Sequence, residues 1–324
     1  MRPAGLDGLA AYSAALGADP EHVQAAGGNT SLKAAGVLWV KASGLWLADA
    51  RTRDIFVPVA LAPVLDGIAG DAADPVSAAV VGSLNPQGLR PSIETTLHAL
   101  LPHRVVVHTH SVRTIALAIR EDGQAELARR LAGLRWAWVP YCKPGLPLTR
   151  MVGAALRQAP ADILVLGNHG LVVGAEDVPA AETLIGEVER RLDGPRRRLE
   201  PPVAPPPVPD GHRLPRHPLV HTLALEPQRR ERACAGSLYP DHVIFLGPAA
   251  NGPAAKLRLL PGAGAVLAAG TEASADELAL CLALVLERVP AAACLRYLSE
   301  ADEAELMNWD AEQYRQALAR SLGR

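Results

Sequence analysis

Three histidines carry the first chemical signal in this chain. His108 and His110 flank Thr109 at the end of the apolar run Val105-Val106-Val107, and His169 stands far downstream in Leu166-Gly167-Asn168-His169-Gly170. Successive side chains of a strand point to opposite faces, so His108 and His110 project the same way. His169 likewise follows an apolar run, Ile163-Leu164-Val165-Leu166, and precedes a glycine where a strand would end. If the two strand ends meet, three imidazole nitrogens converge and leave a fourth coordination position open, which suits a catalytic rather than a structural zinc. Taken alone, a short His-x-His is more often a pair of hydrogen-bonded core or surface residues. Glu94, in Pro91-Ser92-Ile93-Glu94-Thr95-Thr96-Leu97-His98, opens an expected helix directly before the His-x-His strand. An acid there also simply complements the helix dipole, with Ser92 as its cap.

The elements that must position these residues alternate along the chain up to about residue 194. Helices are expected near Leu6–Leu16, Pro75–Leu84, Ile93–Leu101, Val112–Ile119, Gln124–Leu131, Thr149–Arg157 and Pro179–Leu192. Strands are expected near Val37–Lys41, Ile55–Val59, Val105–His108, Trp136–Val139, Ile163–Leu166 and Leu171–Val173. The pattern is a sheet covered by helices on both faces. Between the first helix and the first strand, Gly27-Gly28-Asn29-Thr30-Ser31 reads as a loop whose backbone N–H groups and hydroxyls suit an anion, although such a turn is usually only a turn. Lys33 and Lys41 either assist it electrostatically or are solvated.

Five blocks occur in order: Gly27-Gly28-Asn29-Thr30-Ser31, Lys41-Ala42-Ser43-Gly44, Ser92-Ile93-Glu94, His108-Thr109-His110 and Asn168-His169-Gly170. Together they resemble the class II aldolase/adducin family over roughly residues 5 to 195. The similarity is greatest to the branch related to rhamnulose-1-phosphate aldolase, including aldolases fused to a short-chain dehydrogenase. The stretch after residue 195 is too short for a dehydrogenase and carries no Gly-x-Gly-x-x-Gly opening a helix after a strand.

The resemblance implies a three-layer α/β/α domain around a mixed, largely antiparallel sheet. It implies His108, His110 and His169 as ligands of zinc or another divalent cation, and Glu94 as the acid/base carboxylate. Gly28, Asn29, Ser43, Gly44 and Ser92 match the loops that hold the substrate phosphate. Simple fuculose-phosphate aldolases carry a second serine before the catalytic glutamate, and Ile93 stands there instead, removing a hydroxyl donor from the phosphate pocket.

The chemistry fits these residue types. Cleaving a carbon–carbon bond beside a ketone leaves an enediolate, which a divalent cation stabilises as a Lewis acid. Neutral imidazoles leave the ion's charge uncompensated, and a nearby carboxylate can move the protons. The expected activity is retro-aldol cleavage of a ketose phosphate or related ketose. The same metal site in this fold also serves sugar-phosphate epimerases, decarboxylases and dehydratases, and adducins are metal-free binding proteins of the same family. Adducins lack the histidine set. The family also implies a homo-oligomer, a tetramer being common.

Composition bounds the remaining classes. A chain of 324 residues with a net charge of -2 advertises neither nucleic acid nor an acidic membrane as partner, leaving a small sugar or sugar phosphate. The four scattered cysteines, Cys142, Cys234, Cys281 and Cys294, make no Cys-x-x-Cys and fit a reducing compartment. No signal peptide or membrane span is expected, the apolar run Leu278–Val289 being too short, so the expected location is cytoplasmic.

The expected organisation is a catalytic domain over 1–194, a Pro/Arg-rich linker over 195–217 and a small α/β module over 218–324. In that module Tyr239–Leu246 and Leu257–Leu267 read as strands, with helices over Ala275–Glu287 and Ala311–Leu322. Asp241 and His242 read as polar residues at a strand entrance rather than a site.

Overall fold

The computed structural model describes residues 2–321. Its contacts divide the chain into two compact units, one of residues 1–110 and 130–191, the other of residues 111–129 and 192–324.

The first unit is built on seven strands: β1 (Asn29–Ala34), β2 (Val37–Lys41), β3 (Phe56–Ala60), β4 (Val105–Thr109), β5 (Trp136–Val139), β6 (Ile163–Leu166) and β7 (Gly170–Ala175). They lie in the order β3-β2-β1-β4-β7-β6-β5. Every neighbouring pair is antiparallel except β5 with β6, so the sheet is mixed and largely antiparallel, as expected. Val106, Leu164, Leu166 and Val172 point to one face and pack with Leu97, Leu101, Leu148 and Val152 of helices Thr95–Leu100 and Leu146–Gln158 and their flanks. The alternate residues Val105, Val107, Ile163, Val165, Leu171 and Val173 are buried on the other face. A sheet apolar on both faces needs a helical layer on each, and each fully buried Val or Leu stabilises by ~1.5–3 kcal/mol.

The sequence of strands differs from expectation at β1. Of the segment 27–31 read as a loop, residues 29–31 belong to a strand, Asn29–Ala34, hydrogen-bonded to β2 on one side and β4 on the other. Only Leu32 in it is strongly apolar, so the two flanking ladders rather than periodicity make it a strand. Residues 75–84, read as a helix, form two short 3-10 turns, Ser77–Ala79 and Gly82–Leu84.

In the second unit a three-stranded antiparallel sheet has the order β8 (His212–Arg213), β10 (Gly264–Ala268), β9 (Leu257–Leu260). The long helix Ala273–Arg288 is buried along most of its length and packs on helices Val112–Ala118 and Pro240–Leu246. Residues 111–129, expected in the first domain, therefore join the second unit, because a helix as apolar as Val112–Ala118 needs a buried apolar partner. Residues 240–246, read as a strand, form a buried helix with Pro240 in its first turn.

Asp241 there pairs with Arg315 at 3.2 Å, and Arg315 with Glu312 at 2.8 Å, all three buried. The Pro/Arg segment is held to this unit: Arg197 N–H donates to the Glu287 carbonyl at 2.6 Å, and its guanidinium pairs with Glu226. The last helix runs Asp310–Ser321; Leu322, its expected end, lies outside the described residues. No helix among the described residues is long and apolar enough to cross a membrane.

Candidate metal centre

The three histidines come together. Their ring centroids lie 5.0 Å (His108–His110), 4.9 Å (His108–His169) and 5.3 Å (His110–His169) apart. Their ligand nitrogens all lie within 4.8 Å of one another, and all three residues are buried. Topology explains the convergence. The β4–β7 register sets His108 opposite Val172 and Thr109 opposite Leu171, so the end of β4 meets the start of β7. Residues 167–169 form the tight turn between β6 and β7, closed by His169 N–H to the Leu166 carbonyl at 3.1 Å, with Asn168 at φ 50.

Two glycines let the rings approach. A Cβ on Gly170 would lie 2.4 Å from the Thr109 carbonyl oxygen and 3.3 Å from His108 Cε1. One on Gly27 would lie 2.6 Å from His110 Nδ1.

Glu94 lies against this cluster, with Oε2 3.3 Å from His108 Nε2 and Oε1 3.7 Å from His169 Nε2. His108 Nδ1 donates to the Leu171 carbonyl at 3.0 Å, which leaves a lone pair on Nε2. That lone pair therefore faces a carboxylate oxygen, an arrangement that a shared cation relieves. Glu94 Oε1 is buried and makes no hydrogen bond. Three neutral imidazoles, an uncapped carboxylate oxygen and a backbone carbonyl that orients the His108 ring fit a divalent cation.

A polar chain behind Glu94 was not foreseen from sequence. Asn29 Nδ2 donates to Glu94 Oε2 at 2.8 Å, Asn29 Oδ1 accepts from His98 Nε2, and His98 Nδ1 accepts from Ser31 Oγ at 2.7 Å. Burial brings His98 down to about 3, so its ring is neutral and these directions follow. Burial alone would raise the Glu94 carboxyl; with the rings protonated, the positive charges of His108 and His169, the Asn29 amide and the charge of His110 outweigh it and bring it down to about 2. The signal for the chain was present: Glu94 and His98 are four apart on one helix face, and Asn29 and Ser31 alternate onto one strand face.

The other expected residues border the same edge of the sheet. Ala42 bridges Pro91, Ser92 N–H donates to the Lys41 carbonyl at 3.0 Å, and Ser43 N–H to the Arg90 carbonyl at 2.9 Å. Ser43 and Gly44 are thus stitched beside Ser92, whose Oγ accepts from Glu94 N–H at 3.2 Å. The β1–β2 register, which pairs Ser31 with Val40, carried on by two residues sets Asn29 beside Ala42. Lys41 is buried rather than solvated, and its Nζ donates to the Ala26 and Gly28 carbonyls at 2.7 and 2.9 Å, pinning the glycine segment. Gln24, also unforeseen, donates to the carbonyls of Pro20 at 2.6 Å and His110 at 3.3 Å.

A Bacillus subtilis (strain 168) protein named the uncharacterized oxidoreductase YuxG is 33% identical over 190 residues, 54% of this chain and 27% of that protein. The matched stretch thus spans about a quarter of that relative's length. Among solved structures, the N-terminal class II aldolase domain of a conserved Thermoplasma acidophilum protein is 25% identical, with 59% of this chain and 93% of that chain covered at a TM-score of 0.49. L-fuculose-1-phosphate aldolase from Thermus thermophilus is 19% identical, with 57% and 91% covered at a TM-score of 0.38. The family description "Class II Aldolase and Adducin N-terminal domain" matches residues 7–193, more than half of the sequence. The chain belongs to the class II aldolase and adducin family.

Proposed function

We propose that this protein is a metal-dependent carbon–carbon lyase that cleaves a ketose phosphate, or a related ketose, into a smaller ketone and an aldehyde, with zinc as the expected ion. The observation that carries this reading is the convergence of His108, His110 and His169 beside Glu94. A cation held by the three rings would supply Lewis acidity toward the ketone and its neighbouring hydroxyl.

The protein's own groups do the rest. Glu94 Oε1 is the atom placed to move a proton, taking it from the hydroxyl that becomes the aldehyde carbonyl and returning it to the substrate carbon left electron-rich when the bond opens, with the reverse in the condensation direction. Asn29 holds the other oxygen, and His98 and Ser31 hold Asn29, so Oε1 keeps its aim. Of the residues matched to phosphate binding, Asn29 is occupied with Glu94. An anion would therefore fall to the N–H groups of Gly28 and Gly44 and the hydroxyls of Ser43 and Ser92. The Ser92 hydroxyl is free to donate because its oxygen accepts the Glu94 N–H.

The catalytic part is placed within residues 1–194, in a homo-oligomer acting in a reducing, cytoplasmic compartment. The four cysteines form no disulfide among the described residues, which supports the last point.

The test is a panel of ketose phosphates and free ketoses read by aldehyde release. At least one should react in a metal-dependent manner, and Glu94→Gln should keep the metal while slowing turnover by ~10²–10⁴-fold. Unchanged turnover removes Glu94 from its role. Epimer, carbon dioxide or dehydrated product instead of aldehyde replaces the lyase with an epimerase, decarboxylase or dehydratase. Absence of both turnover and metal makes the chain an adducin-like binding protein.

A further inference from the structure

The second unit contains a cavity of about 820 Å³ between helix Pro227–Cys234, the turn at 251–252 and the edge strand β9. That volume lies in the ~300–1,000 Å³ range of small-molecule sites. Two arginines line it, Arg230 and Arg258. Several other arginines of this unit are paired with carboxylates, Arg197 with Glu226, Arg213 with Asp276 at 2.8 Å and Arg315 with Glu312 at 2.8 Å, and Arg232 is held by the carbonyls of Pro290, Ala291 and Ala293. Among the described residues no carboxylate lies within the 4.0 Å ion-pair distance of Arg230 or Arg258. Among the described residues the Arg230 guanidinium makes one hydrogen bond, a long one of 3.4 Å to the Ala224 carbonyl. Among the described residues Glu231 is the single acid on the lining, so with Arg230 and Arg258 the wall carries a net positive charge.

The wall is also preformed. Asn251, at φ 63, clasps the edge of β9: its amide donates to the Leu259 carbonyl at 3.2 Å and accepts the Leu259 N–H at 2.7 Å, while its own N–H reaches the Leu257 carbonyl at 3.1 Å. Arg258 is exposed between buried Leu257 and Leu259, so the pleat turns it away from the core and onto the cavity. Pro227, Leu260 and Pro261 add apolar surface.

We propose that this cavity binds a small organic anion, a phosphate or carboxylate head carried on an apolar body, with Arg230 and Arg258 gripping the head. Guanidinium forks match both oxyanions, and two such forks on one wall without a carboxylate ion pair can share an anionic head group. The cavity shares no residue with the three-histidine centre, so this inference stands or falls independently of the lyase reading.

Calorimetric titration of the full chain with inorganic phosphate, butyl phosphate and butyrate tests it, with the two organic probes distinguishing the head groups. One of them should bind saturably and more tightly than inorganic phosphate, because only the organic probes reach the apolar wall. Binding should weaken at least tenfold in Arg258→Met and in Arg230→Met and stay unchanged in His110→Ala, which keeps this cavity but alters the histidine cluster. Arg258 is exposed, so its variant decides the matter even if Arg230→Met fails to fold. Absence of saturable binding by all three probes up to about 10 mM overturns the proposal. So does binding that survives both arginine substitutions, or that is lost only in His110→Ala.

Discussion

Replacing Gly27 by alanine drives a methyl group into the space of the His110 ring. The new Cβ would lie 2.6 Å from His110 Nδ1 and 2.9 Å from both His110 Cε1 and the Gln24 carbonyl oxygen. Ordinary contact begins at 3.4 Å, so the ring must retreat by about 0.8 Å. Metal–ligand distances tolerate only about 0.2 Å, so the displaced nitrogen falls outside bonding range unless the whole site rearranges. The expected loss is ~10–100-fold in metal affinity, comparable to removing a hydrogen bond that orients a metal ligand, with an overpacking cost of ~1–3 kcal/mol in stability. Competition against a chromophoric chelator measures the first, and a thermal melt followed by circular dichroism measures the second. Gly8→Ala is the control: Gly8 sits on the exposed side of helix Leu6–Gly17 with nothing within 4 Å of an added Cβ. It should leave metal affinity unchanged and raise stability by ~0.5–1 kcal/mol. A folded Gly27→Ala chain with unaltered metal affinity would refute His110 as a ligand.

Two further outcomes concern stability. Burial brings the Lys33 ammonium down from 10.5 to about 8, so the folded state disfavours its charged form. The resulting penalty is complete below about 8 and is relieved as pH rises toward 10.5. Lys33→Met should therefore be the more stable chain at pH 7, by ~1–3 kcal/mol, with the advantage shrinking across that window in denaturant titrations; a pH-independent difference contradicts the assignment. Arg315 is buried between Asp241 and Glu312, and Arg315→Met would leave two buried carboxylates without their cation. It should cost ~3–5 kcal/mol in urea denaturation, and a loss below about 1 kcal/mol would show that the trio does not bear on folding.

Much of the centre was legible because its residues end apolar strands. Val105-Val106-Val107 and Ile163-Leu164-Val165-Leu166 read as buried strands and are so, which puts the histidines that follow each at or near a strand end. Glu94 was legible by its position before that strand. His98 was not, because its partner Asn29 lay in a segment read as a loop; the paired glycines hid the start of β1, whose strand character comes from β2 and β4.

In the second unit the run Val243-Ile244-Phe245-Leu246 is too short for periodicity to separate strand from buried helix. Pro240, at the first helical position, was the available signal. The assignment of residues 111–129 to the second unit could not be read locally, since it depends on an apolar helix more than 150 residues downstream.

The central claim is that one divalent cation is held by imidazoles from two distant segments. X-ray absorption at the zinc edge on the zinc-loaded full chain tests it directly. The account predicts one zinc per chain coordinated by three imidazole nitrogens plus oxygen near 2.0–2.1 Å, reduced by one imidazole and weakened in His169→Ala. A chain that takes up no metal under replete conditions, or whose zinc coordination is unchanged in His169→Ala, contradicts it.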